Sequence, residues 1–159
     1  MALKARYNEQ DILRRLKEEA ARIEKDLIDI MGFVAEKFIK EARDGLNITG
    51  AFPKGDYTDR TENLRSSIGY FILKDGSIIQ QNLEGNSEGM ANAKLALQEI
   101  HPRIGHIQLI LVAGMDYASY VESRGYNVLT SQGDLIFIDL ERLWKKYSKK
   151  RNITERYTL

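Results

Sequence analysis

The chain has 159 residues, 43% hydrophobic and 30% charged, the length and balance of one globular domain, which excludes a fibrous or disordered chain. It carries 24 Lys and Arg against 23 Asp and Glu, so an affinity for nucleic acid cannot rest on a strongly basic domain, and any polyanion contact has to be local. The absence of cysteine excludes disulfides, thiolate zinc sites and cysteine nucleophiles. No apolar run approaches the roughly 18–20 residues of a membrane span and none follows Met1 as in a signal peptide, so the sequence predicts a soluble, non-exported protein.

From Asp11 to Ala42 the residues Ile12, Leu16, Ala20, Ile23, Leu27, Ile30, Val34 and Phe38 recur at steps of three or four and predict an amphipathic helix. Glu18, Arg22 and Asp26, with Glu36 and Lys40 further on, read as its solvated face. Gly32 marks a bend or the point where one helix becomes two. A continuous span of about 30 residues would be about 45 Å long, more than the diameter of a domain this size, so part of it projects or packs on another subunit.

Gly45 to Thr61, containing Gly50, Pro53, Gly55, Asp56 and Tyr57, has little periodicity and reads as a long connection of the kind that is usually functional or mobile. A short helical turn at Thr61 to Arg65 precedes two β-rich runs, Ile68 to Leu73 and Ile78 to Leu83. Asp75-Gly76 between them is a strong hairpin signal. Met90 to Ile100 reads as helix, Pro102 and Gly105 as a break, and Ile107 to Ala113 as a third strand. That strand is so continuously apolar that it is expected in the centre of the sheet, covered on both faces. Tyr117 to Ser123 is a short helix or irregular crossing. Ile136, Leu140, Leu143, Trp144 and Tyr147 form a last helical stripe starting after Gly133. The fold class is therefore α+β: helices at the two ends of the chain around a small, mainly antiparallel sheet. It is one domain, with a helical part over 1–44, the loop over 45–61, an α+β core over 62–147 and a basic, frayed tail over 148–159.

Chemistry-bearing patterns are few. Gly85-Asn86-Ser87-Glu88-Gly89 has the nucleophile-elbow spacing between a strand and a helix, but the only histidines, His101 and His106, lie on the next connection, and the commoner reading is a Gly-rich turn leaving a hairpin. The two histidines sit five residues apart across a Pro-containing loop with no adjacent carboxylate cluster, a poor metal pattern. No phosphate-binding loop or dinucleotide fingerprint occurs, so neither metal nor cofactor is expected. Lys145, Lys146, Lys149, Lys150 and Arg151 read first as a solvated helix end, suited to the helix dipole, and second as a local phosphate contact.

Two segments carry more as a pair. Thr61, Leu64, Arg65, Ser67 and Ile68 match a Thr-Gly-x-Leu-Arg-x-Ser-Ile pattern, and Gly114, Tyr117, Ala118, Tyr120, Val121 and Glu122 match Gly-x-x-Tyr-Ala-x-Tyr-Val-Glu-x-Gly. With a long helix before the first and a hairpin between them, they resemble the tail-completion, or head-tail joining, family of long-tailed phages over roughly residues 10 to 147. Glu62 replaces the first pattern's glycine, Arg124 lies between Glu122 and Gly125, and Glu84 to Gly105 lengthens the connection to the third strand.

The resemblance implies a virion structural protein, made in the bacterial host cytoplasm, that forms a homo-oligomeric ring at the head-tail junction or tail end. It would contact other head and tail proteins and perform no catalysis. The rival classes are a small serine hydrolase using Ser87 and an intracellular module whose long helix docks a partner. Read physically, the motif residues are a packing or subunit-contact constellation. Leu64 and Ile68 face a core, Arg65 pairs with Glu122, Tyr117 and Tyr120 share a helical face with Val121 beside Tyr117, and Tyr117 is largely buried. The loop with Gly50, Pro53, Asp56 and Tyr57 is the candidate assembly loop.

Overall fold

A single helix, α1 (Glu9–Gly45), runs 37 residues without interruption, about 55 Å at ~1.5 Å per residue. The structure, a computed structural model, describes residues 8–45, 63–85, 87–101, 103–124 and 128–151, without the side chains of Asp44, Arg65, Thr130, Ser131, Gln132 and Asp134. The loop with Gly50, Pro53, Asp56 and Tyr57, together with Thr61, Gly125 and the tail from Asn152, lies outside the described residues. The remaining elements are α2 (Asn63–Ser67), β1 (Ile68–Lys74), β2 (Ser77–Asn82), α3 (Ser87–Gln98), β3 (Ile107–Ala113), α4 (Ala118–Ser123) and α5 (Thr130–Lys150). The class is α+β, as the sequence implies. No helix among the described residues is long and apolar enough to cross a membrane.

The sheet has the order β2-β1-β3 and is antiparallel throughout. This corrects the expectation for Ile107 to Ala113: β3 is an edge strand and β1 is central. A run of apolar residues reports packing on the two faces, which β3 has in part with only Val112 buried, and says nothing about whether both edges are paired. On one face Ile68, Tyr70 and Ile72 of β1 and Leu109 and Leu111 of β3 pack with Val34, Phe38 and Ile39 of α1 and Ile136, Leu140 and Leu143 of α5. On the other, Phe71 and Val112 pack with Ala93 of α3.

Gly32 does not divide the segment into two helices, for α1 runs through it unbroken. A Cβ there would stand 2.7 Å from Nε2 of Gln80 on β2, so the glycine lets the helix lie close to the sheet. Glu18, Arg22 and Asp26, expected on the solvated face, do not pair with one another: Arg22 pairs with Glu19 at 3.1 Å, while Asp26 accepts hydrogen bonds from the Tyr147 hydroxyl at 2.6 Å and from Arg151 at 3.2 Å. Glu36 is more than solvated surface, for its Oε1 accepts from the buried Tyr70 hydroxyl at 2.9 Å and its carboxylate accepts again from Asn82 Nδ2 at 3.0 Å. Gln80 donates to the same hydroxyl at 2.7 Å. Lys37 reaches across to Asp139 of α5 at 2.7 Å, which raises the ammonium pKa and lowers the carboxyl pKa. The first two turns of α1 project: Ile12, Leu13 and Leu16 are exposed, in agreement with the expected overhang.

Helix α5 begins before Gly133, not after it. The Gly133 amide donates to the Leu129 carbonyl at 3.0 Å within the first turn, and the buried Ile136 one turn later holds the segment to the core. The hairpin turns at Asp75 and Gly76 with φ of 51° and 80°, the mirror-image turn that suits strand twist, and β2 carries a bulge at Ile79. Asp75 accepts from the Gly105 amide at 2.6 Å and so ties this turn to the one that enters β3.

Gly76→Val places a β-branched residue at positive φ and is expected to cost more than about 1 kcal/mol, read as a lowered melting temperature; an unchanged melt would exclude the turn geometry. Burial, with the hydrogen bond and charge of Glu36 behind it, pushes the Tyr70 hydroxyl up to about 12 from 10.0. A value raised on folding contributes stability that is complete below the unfolded value and lost as pH climbs through the folded one. Denaturant midpoints should therefore fall between about pH 10 and pH 12 in the natural chain, and Tyr70→Phe should remove that part of the slope.

Candidate functional site

The two motif segments, separated by some fifty residues of chain, meet at one end of the sheet. Leu64 and Ile68 are fully buried, and the Ser67 hydroxyl donates to the Leu64 carbonyl at 2.8 Å, closing α2 just as the chain turns extended into β1. The Ser67 carbonyl then accepts from the Gly114 amide at 3.2 Å, one step beyond the last β1–β3 pair, Ile68 with Ala113. A backbone hydrogen bond thus joins the first motif to the second. Met115, Ala118, Val121, Leu64 and Ile68 share one buried cluster.

Gly114 is required there for a second reason. A Cβ on it would clash with the Gly89 carbonyl oxygen, so α3 lies against the end of β3 at backbone distance. The same contact places Gly89 and Ser87 of the elbow-like run. Ser87 opens α3 and is exposed, and the only non-glycine residue at positive φ among those described is Asp75, so the strained turn that projects a nucleophile is not formed. His106 Nδ1 faces the Ile104 carbonyl at 3.1 Å, and both histidines are exposed.

The second motif divides between core and surface. Ala118 and Val121 are buried. Tyr117 is only half-buried, against the expectation, because it stands at the N-cap of α4, where its carbonyl accepts from the Val121 amide at 3.0 Å. Tyr120 does not share that face: it is 58% exposed, and the Arg124 guanidinium lies over its ring at 4.9 Å and donates to its hydroxyl at 2.5 Å. Glu122 accepts from the Leu129 amide at 3.1 Å and so fastens α4 to the start of α5. Its expected pairing with Arg65 lies outside the described side chains.

Sequence reading missed Arg43, one residue past the expected helix end. From the last turn of α1 it donates to Glu84 at 2.7 Å and to the Ile68 carbonyl at 2.8 Å, while its buried Nε has no partner. A basic residue in a helix's last turn is the signal that marks it. In the basic cluster, Lys145 pairs with Glu141 at 2.6 Å, and Arg151 pairs with Asp26 and Glu19; Lys146, Lys149 and Lys150 are exposed.

Apart from Tyr120, the large exposed apolar side chains lie outside the motifs. Leu135 and Ile138 rim a groove between α1 and α5, and Phe33 and Phe137 are 64% and 70% exposed on the same two helices. These surfaces suit protein contacts better than small-molecule chemistry. Comparison with known proteins gives no match to a family model, a curated protein or a solved structure. Leu64→Ala is expected to cost about 2–5 kcal/mol in denaturant unfolding, as for a large side chain removed from a packed core. Tyr120→Ala should stay within about 0.5 kcal/mol of the natural chain. Equal costs would place Tyr120 in the core.

Proposed function

We propose that this chain is a structural protein of a long-tailed phage, acting at the head-tail junction or tail end as a ring-forming completion factor, by surface complementarity and without catalysis. The observation that carries the reading is the hydrogen bond from the Gly114 amide to the Ser67 carbonyl. It makes one packed unit of the two segments on which the resemblance rests.

The surface supports the same role. A ring in which each copy meets two neighbours needs two different contact surfaces per copy. The chain offers separated apolar areas, one on the projecting end of α1 with Ile12, Leu13 and Leu16, and one on the α1–α5 side with Phe33, Leu135, Phe137 and Ile138. Virion proteins of this kind are the expected partners, and the virion the expected place.

In a phage deleted for this gene, filled heads and finished tails should accumulate separately with few infectious particles, and purified protein added to the lysate should restore joining. Normal particle yield from the deletion overturns the role.

A further inference from the structure

Among the described residues the outer edge of β3 is an unguarded backbone surface. The Asp75 amide donates to His106 and the Gly114 amide donates to Ser67. With the register of β1 on β3, these bonds set the alternation: Gln108, Ile110 and Val112 turn their backbone groups toward β1, and Ile107, Leu109, Leu111 and Ala113 turn theirs outward. None of those four residues makes a hydrogen bond across the open edge. Natural sheets guard such edges with charges, prolines, bulges or covering segments. In a chain that is 30% charged, β3 reads Ile-Gln-Leu-Ile-Leu-Val-Ala and pairs with β1 over all seven residues with no bulge. The opposite edge is guarded, because the bulge at Ile79 breaks the row of outward groups on β2.

We infer that the free protein pairs through β3 with β3 of a second copy, antiparallel about a two-fold axis, to give a six-stranded sheet. Three observations choose this occupant. A two-fold sets β3 against a second β3, which would bring any charge on the edge close to a like charge on the other copy, and the strand carries none. Antiparallel pairing is the more stable geometry, whereas joining β3 to β2 of a neighbour in one continuous sheet would be parallel, since both strands run opposite to β1, and would meet the bulge. The two edges also match in length and donor spacing, being the same strand. The inference is independent of the virion role. Because a ring between head and tail is polar, and a two-fold pair would join two rings back to back, the pair belongs to the protein before assembly.

The geometry gives a direct test. A two-fold perpendicular to the sheet maps each face onto itself, and residues opposed across an antiparallel pair share a face, so one residue of β3 faces its own copy with Cα atoms about 4.5–5.5 Å apart, within disulfide reach. The natural chain has no cysteine. Single cysteines placed in turn from Ile107 to Ala113 in the full chain, then mildly oxidised, should give a covalent dimer at one position, while Ile78→Cys and Gln81→Cys on β2 should not. Sedimentation of the unmodified chain should show a monomer–dimer equilibrium. Hydrogen exchange should show the Leu109 and Leu111 amides slowing as concentration rises, a readout that survives if a cysteine variant fails to fold. The inference is overturned by a monomer at every concentration, by β3 amides protected equally at all dilutions (a segment of the same chain on the edge), or by larger species cross-linked between β2 and β3. Each of these outcomes leaves the deletion phenotype to decide the virion role separately.

Discussion

β1 has no free side. Ile68, Tyr70, Phe71 and Ile72 are all fully buried, so the strand needs a helical layer on each face and a strand on each edge before it can exist in water. That demand sets the architecture. α1 and α5 form one layer and α3 the other, β2 follows through a two-residue turn, and β3 returns from the far side of α3 to close the second edge. Close layers on both faces leave no space for side chains at certain crossings: Gly114 meets the backbone of α3 at Gly89, and Gly32 makes room for the Gln80 side chain of β2.

One polar group inside this frame needs separate support. Tyr70 brings a hydroxyl into a fully buried position, and an unpaired hydroxyl there would cost about 1–3 kcal/mol. Glu36 and Gln80 complete its hydrogen bonds, one from α1 and one from β2, so the same cluster fixes the helix's rotation about its own axis relative to the hairpin. Lys37 with Asp139, Lys74 with Glu24 and Asp26 with Tyr147 add further cross-links of α1 to its neighbours at the surface. Exposed pairs of this sort contribute little stability individually. They serve mainly to choose one register among helix placements that bury similar apolar area.

Periodicity and turn chemistry made most elements legible. The two β-rich runs and the Asp75-Gly76 pair located the hairpin, and three-four spacing located α1 and α5. What stayed hidden depends on neighbours distant in sequence. Nothing local distinguishes a glycine that bends a helix from Gly32, which admits Gln80, or a solvated glutamate from Glu36, which meets a tyrosine 34 residues away. The order of strands was likewise illegible, because burial of both faces writes the same apolar run into a central strand and into β3. Of the candidate site, the pairing of the two motifs was legible as sequence, while the division between the buried Val121 and the exposed Tyr120 emerges only with α4's orientation.

The motif residues carry an implication for where contacts lie. Leu64, Ser67, Ile68, Gly114, Ala118 and Val121 are interior or held in backbone contact, and so have no surface to offer another molecule. A shared pattern made of such residues describes a shared joint in the fold, because a core position tolerates few side chains whatever the protein touches. Contact surfaces answer to the partner instead and change with it. If the chain works by docking, its specificity must be written in exposed residues, Tyr120 of the second motif and others outside the motifs such as Leu16, Phe33, Phe137 and Ile138, which are large and exposed in the single chain and have no role in holding its core. Fold and specificity are then carried by separate sets of residues, and a likeness resting on the first set is silent about the second.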